Sequence, residues 1–219
     1  MPSCDYYFGK VFAHLAAALA VSAISAQSSN IGATMYGDTS KLLQFLGNMV
    51  ILFGTMYGIY ATKPGGIPKY AFFLLFAFWM GQIIKPYVVN LQDKGTLTRV
   101  LILTTGVFVG MMALGFYDSM NLLGFGPYLF AGLVGLIAAQ LLLLAFGTPE
   151  EKQKGLKWLN LFGVALFAVF TAYDVQVIRA GAGSCRRSQK KLRVDPDYPV
   201  ESLGLYLDFI NLFTRLGDD

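Results

Sequence analysis

The chain has 219 residues, of which 55% are hydrophobic and 14% charged, against roughly 25% charged in a typical soluble domain. So few charges cannot coat a soluble globule, while 18 Phe and 12 Tyr exclude a disordered chain. The net charge of +4 is too small to point to nucleic acid, which leaves an all-α, multi-pass integral membrane protein in contact with the lipid bilayer.

A helix that crosses the hydrocarbon core needs about 20 mostly apolar residues, and seven segments are read as spans. The first, 10–27, holds Lys10 and His14, has a longer apolar part than a signal peptide and is followed directly by further spans. It reads as a retained span. The others are 41–62, 69–90, 97–117, 124–146, 156–178 and 199–216, the last being the shortest and most polar. Together they make one seven-helix transmembrane domain over 1–219. Lys63-Pro64-Gly65-Gly66 is a strong stop between the second and third spans. The segment 90–96 is a polar turn. Thr148, followed by Pro149, Glu150 and Glu151, has the form of a helix start. Ala180-Gly181-Ala182-Gly183-Ser184 opens the longest loop. Cys4 and Cys185 are far apart and belong to no Cys/His cluster, so neither a disulfide framework nor a zinc site is expected.

Basic residues in short loops set orientation. Arg179, Arg186, Arg187, Lys190, Lys191 and Arg193 lie between the sixth and seventh spans, six of the 17 basic residues in the chain. With Lys63 and Lys69 they place the N-terminus in the cytoplasm. The same loop could touch anionic lipid headgroups, at about 1 kcal/mol per basic residue.

Ionisable groups at membrane depth need a reason. Asp174 lies near the end of the sixth span and Asp208 in the middle of the seventh, with apolar residues on both sides. Gly204 at i−4 and Asn211 at i+3 share the face of Asp208, and Thr171 at i−3 that of Asp174. Two neighbouring carboxyl groups cannot both ionise cheaply, and a shared proton is the usual result. Such a pair senses protons, and when ionised it suits a hard cation. A second reading stays open, of two unrelated acids, one interfacial and one paired with a base. Lys63, Lys85 and Arg179 are the basic residues nearest such positions, each also placed to snorkel. His14 reads as a packed or interfacial side chain. Asn48, Gln82, Gln140 and Asn160 are expected to hydrogen-bond between helices, and Gly132 and Gly135 to permit close packing.

The C-terminal third resembles the transmembrane Bax inhibitor motif family. Tyr173-Asp174-Val175-Gln176 ends the sixth span. Tyr198-Pro199 and then Ser202-Leu203-Gly204-Leu205-Tyr206-Leu207-Asp208-Phe209-Ile210-Asn211-Leu212-Phe213 form the seventh. Weaker likeness covers Lys10-Val11-Phe12, Tyr70-Ala71-Phe72, Phe76-Ala77-Phe78 with Gly81, and Phe130-Ala131-Gly132-Leu133. The resemblance implies six helices around a central seventh, pH-dependent calcium leak and, in many eukaryotic members, protection from cell death. It places the paired aspartates on Asp174 and Asp208 and, by register from Tyr70, a basic latch on Lys63. The chain departs from the pattern in having Lys rather than Arg at the latch, a loop before the seventh helix that is long and basic, Lys85 before Pro86, and a short tail ending in Asp218-Asp219. Lysine lacks the bidentate fork that arginine offers a carboxylate.

The leading expectation is therefore a non-enzymatic calcium leak channel or exchanger gated by protons at Asp174 and Asp208, with a role in calcium homeostasis and cell death. Those two acids are the only metal ligands it implies, and calcium is the permeant or bound ion with no other cofactor. The alternative is a non-conducting regulator that binds a membrane protein partner such as a protease or cell-death protein. An intramembrane aspartyl hydrolase ranks last, because the chain lacks the Gly-x-Gly-Asp signature.

Overall fold

The computed structural model describes residues 6–28, 31, 40–117, 121–189 and 196–217. Among these residues the fold is all-α. The long helices are α1 (Tyr7–Gln27), α2 (Lys41–Ala61), α3 (Ile67–Asp93), α4 (Leu97–Gly115), α5 (Gly126–Phe146), α6 (Pro149–Gln189) and α7 (Tyr198–Leu216). A 3-10 turn at Leu123–Phe125 leads into α5. Every expected span is matched by a helix, and the first six are long and apolar enough to cross a membrane. Helix α7 falls short of that measure, because Glu201, Asp208 and Arg215 put three charges into 19 residues.

The first six helices make this a multi-pass integral membrane protein. Helix α5 is the most apolar of these six and the least buried, so its apolar side chains face outward. Phe130, Leu141, Leu142 and Phe146 are exposed there, as are Phe53 and Tyr57 on α2. Such a surface is stable only against acyl chains.

The helix boundaries have local causes. Gly66 N–H donates to Lys63 O at 3.2 Å across a turn with Pro64 second and Gly65 third at φ 76°, a type II geometry that favours glycine at that third place. Helix α6 begins with the reciprocal box that Thr148 and Glu151 spell out. The Thr148 N–H and hydroxyl both donate to Glu151 Oε2 at 2.8 Å, and Glu151 N–H returns a bond to Thr148 Oγ1 at 3.4 Å.

Helix α6 does not stop near Ile178 as expected but continues through Ala180-Gly181-Ala182-Gly183-Ser184 to Gln189. A helical glycine costs about 1 kcal/mol, which is no stop when packing offsets it. A Cβ on Gly181 would lie 3.0 Å from the Tyr7 hydroxyl, so the absent side chain is what lets this turn pack. At 41 residues, α6 is about 60 Å long by its rise, twice the hydrocarbon core, so it overruns the membrane, and Glu150 and Glu151 in its first turn put that turn in water. Of the basic residues expected in the following loop, Lys190, Lys191 and Arg193 lie outside the described residues, as do the side chains of Arg186 and Arg187.

The chain forms two compact units, 1–93 with 181–206 and 94–180 with 207–219. In the first unit α1 and α2 both pack on α3. A Cβ on Gly81 of α3 would collide with the Ser22 carbonyl oxygen of α1, and one on Gly58 of α2 with the Phe72 ring at 2.6 Å. In the second unit the packing centre is α6. Gly115 of α4 sits against Ala172 and Val175, Gly126 of α5 against the Tyr173 hydroxyl, and Gly132 of α5 against Leu166. Gly132 thus permits close packing as expected. Gly135 does not, since a Cβ there meets open space.

Two outcomes follow. Gly81→Ala should lower stability by about 1–3 kcal/mol, the range for overpacking a tight contact, read as a fall in the thermal unfolding midpoint of the purified protein in detergent. The two Thr148 bonds hold the exposed Glu151 carboxyl below its ordinary range. A depressed acid stabilises above its unfolded pKa and loses that contribution as pH falls through the folded one. The protection of amides in the first turn of α6, with exchange corrected for its intrinsic pH dependence, should therefore fall on acidification below the usual glutamate range, and Glu151→Ala should abolish that fall.

Candidate functional site

In the second unit Thr171 and Asp174 share one face of α6. Thr171 is fully buried, and its hydroxyl donates to Phe167 O at 2.9 Å. Asp174 is half-buried. Asp208 of α7 is 4% exposed, and its neighbour Phe209 is held edge-on against Phe108 with ring centroids 5.3 Å apart. The Asp208 carboxyl is near enough to feel the charge of Asp174 and the hydroxyl of Thr171. Its Oδ2 has no hydrogen-bond partner among the described residues.

The other expected site residues are placed differently. Asn211 is half-buried and donates from Nδ2 to Leu207 O at 2.8 Å, so this amide bond goes to its own helix. Gly204 is half-buried on the part of α7 that belongs to the first unit. Arg179 donates from Nη1 to Phe116 O at 2.8 Å, where a cation satisfies a terminal carbonyl of α4. Lys63 is exposed in the turn after α2, in the first unit.

The first unit holds a polar cluster that reading the sequence missed. Lys69, in the first turn of α3, is 1% exposed and forms an ion pair with Asp197 Oδ2. The other oxygen of Asp197 accepts from Val200 N–H at 3.4 Å, the position of an N-cap bond. One carboxylate therefore both starts α7 and neutralises a buried ammonium. Breaking a buried pair by removing one partner costs about 3–5 kcal/mol. Lys10 lies 5.3 Å from the centroid of the Tyr198 ring, and Tyr7 hydrogen-bonds Glu201. His14 stacks on Tyr70 and Tyr198 at 5.5 and 6.0 Å, the packed role expected of it. The Asp197 cap was readable, as an acid just before a helix with Pro199 in its first turn, but the partner of Lys69 was not.

Further along α7, Tyr206 is fully buried and pairs with Ser22 of α1 at 2.7 Å. The single proton of Ser22 has two carbonyl acceptors, Ala77 O at 2.8 Å and Ala18 O at 2.9 Å, so Tyr206 is the donor to Ser22. Interhelical amides occur as expected at three of four positions. Trp79 Nε1 donates to Asn48 at 3.1 Å, Gln82 Nε2 to Ser25 O at 2.8 Å, and Arg215 Nη1 to Asn160 at 3.4 Å. Gln140 makes no such bond among the described residues. Lys85 turns back to the end of α1, donating to Ala26 O at 3.1 Å and to Ser28 O. Against expectation, Cys185 is disulfide-bonded, and Cys4 lies outside the described residues.

A family model described as "Inhibitor of apoptosis-promoting Bax1" matches residues 5–217. An uncharacterized protein of Borreliella burgdorferi is 31% identical over 219 residues, covering 96% of this chain and 89% of that one. Inner membrane protein YbhL of Escherichia coli K12 is 31% identical over 66% of this chain and 59% of its own length. Bax inhibitor 1 of Schizosaccharomyces pombe is 29% identical over 80% of this chain and 59% of its own.

The Tyr206–Ser22 pair has unequal halves. Tyr206→Phe should cost about 1 kcal/mol, the net value of one hydrogen bond, whereas Ser22→Ala strands a buried hydroxyl and should cost about 1–3 kcal/mol. Thermal midpoints in detergent should therefore rank wild type, then Tyr206→Phe, then Ser22→Ala.

Proposed function

Because the chain belongs to the Bax inhibitor-1 family, we propose that it is a proton-gated calcium leak channel or exchanger of the membrane it spans. Asp174 and Asp208 are its proton sensor. The observation that carries this reading is the buried Asp208, with one oxygen unpartnered among the described residues and Asp174 close enough to interact. A carboxyl group kept in that state at membrane depth needs a function to explain it.

When the two acids share a proton, one negative charge is spread over both groups and helices α6 and α7 are held together. When both ionise, like charges repel, and their oxygens become ligands that a hard cation accepts. Among the described residues no group of three or more His, Cys, Asp or Glu could hold a metal. Two carboxylates alone bind calcium weakly, which suits an ion in transit. In this reading α7 is the central seventh span, which its densely buried face supports, and the N-terminus is cytoplasmic. Control of calcium homeostasis and cell death follows from the leak.

A second reading, a non-conducting regulator of a protease or cell-death partner, is favoured by the family description, which names inhibition of a death-promoting protein. Liposome flux separates the two. Reconstituted wild type should release calcium in a pH-dependent manner. Asp208→Asn, which cannot share the proton, should remove that dependence, with Asp174→Asn acting in the same direction. Wild-type and Asp208→Asn profiles that coincide would refute the sensor. Protein silent at every pH that copurifies with one partner would establish the second reading.

A further inference from the structure

The geometry points to Lys69 and Asp197 as a clamp that fixes the first turn of α7 and, through that helix, positions Asp208 for its role in ion passage. The inference rests on the channel reading for its functional half, but the clamp stands on packing alone. Lys69 sits at the N-terminal end of α3, where the helix dipole disfavours a cation, and its side chain is withdrawn from solvent. An ammonium is retained there because Asp197 meets it. Asp197 is at the same time the N-cap of α7, so the charge pair acts directly on where that helix begins.

Nearby contacts hold the first half of α7, two of them in its first turn. Lys10 lies over Tyr198, Tyr7 bonds Glu201, and Tyr206 reaches Ser22. An α-helix advances 1.5 Å per residue as a stiff rod, so fixing Asp197 sets the axial place of Asp208 about three turns along. Asp197, which caps α7, and Asp208, within it, thus have complementary parts. Asp197 has its oxygens committed to a cap and a cation, and Asp208 has one left over.

The cap and the charge can be separated, because asparagine caps a helix as well as aspartate does. The variant Lys69→Met/Asp197→Asn keeps the cap acceptor, strands no buried charge and lacks the clamp. It should fold, elute as wild type and insert into liposomes. In hydrogen exchange on the full-length protein, peptides over 198–208 should exchange at least about threefold faster than wild type. The calcium concentration that half-saturates flux, per inserted protein, should move by about threefold or more, the scale of coupling through a packed element.

A merely structural pair predicts that the double variant, with no unpaired charge, restores both quantities to wild-type values. Wild-type exchange over 198–208 would overturn the clamp whether or not the protein conducts. Fast exchange with unchanged half-saturation would overturn the positioning role. A wild type that carries no calcium would refute the channel reading and with it the positioning of Asp208, and the exchange measurement would then decide the clamp by itself.

Discussion

A hydrocarbon interior offers no water to a buried polar group, so each such group must find its partner within the protein. The arrangement of this chain follows from that constraint. Gln82 of α3 donates to Ser25 and Ser28 while its carbonyl accepts from Ile31 N–H at 3.0 Å. Lys85 meets carbonyls at the end of α1, and Lys69 meets a carboxylate. Each bond ties α3 to another segment, because a polar group on a packed helix is satisfied most readily by the helix it touches. The polar residues of the first unit are its cross-links, and α3 is where they gather.

Close approach is what makes those bonds short enough to form. The glycines at 58 and 81 bring α2 and α1 onto α3, and those at 115, 126 and 132 bring α4 and α5 onto α6. Between helices in lipid there is little hydrophobic drive, since acyl chains are as apolar as leucine, and backbone proximity and hydrogen bonding take its place. Ser22 shows both at once. Its carbonyl oxygen would be struck by a side chain on Gly81, and its hydroxyl bridges Ala77 O and Tyr206.

Helices, turns and the Thr148–Glu151 box were legible in the sequence, because they depend on hydropathy over about 20 residues or on groups only a few positions apart. The pairing of Asp208 with Asp174 rests on a motif, because no local rule connects residues on two helices. The continuation of α6 past Gly181 was not legible. A run of Ala and Gly reads as a break until one knows that the Tyr7 hydroxyl occupies the space a side chain would take. The disulfide of Cys185 escaped for a similar reason, since spacing says nothing about which segments fold together. Lys69 was read as a topology signal because a lysine near a span end usually reaches water. Only its distant partner Asp197 shows that it does not.

Asp197 and Asp208 set out the logic of α7. Asp197 caps, and Asp208 lies on, one helix of 19 residues that, unlike its six companions, is not apolar enough to count as a span, and a polar helix in a membrane protein must be surrounded by protein to persist. Leu203, Leu205, Tyr206, Leu212 and Phe213 of this helix are all buried. That burial would be needlessly costly if the helix were only structural, since Leu in place of Asp208 would pack without stranding an oxygen. The first acid is satisfied twice over, and the second retains an oxygen with no partner among the described residues.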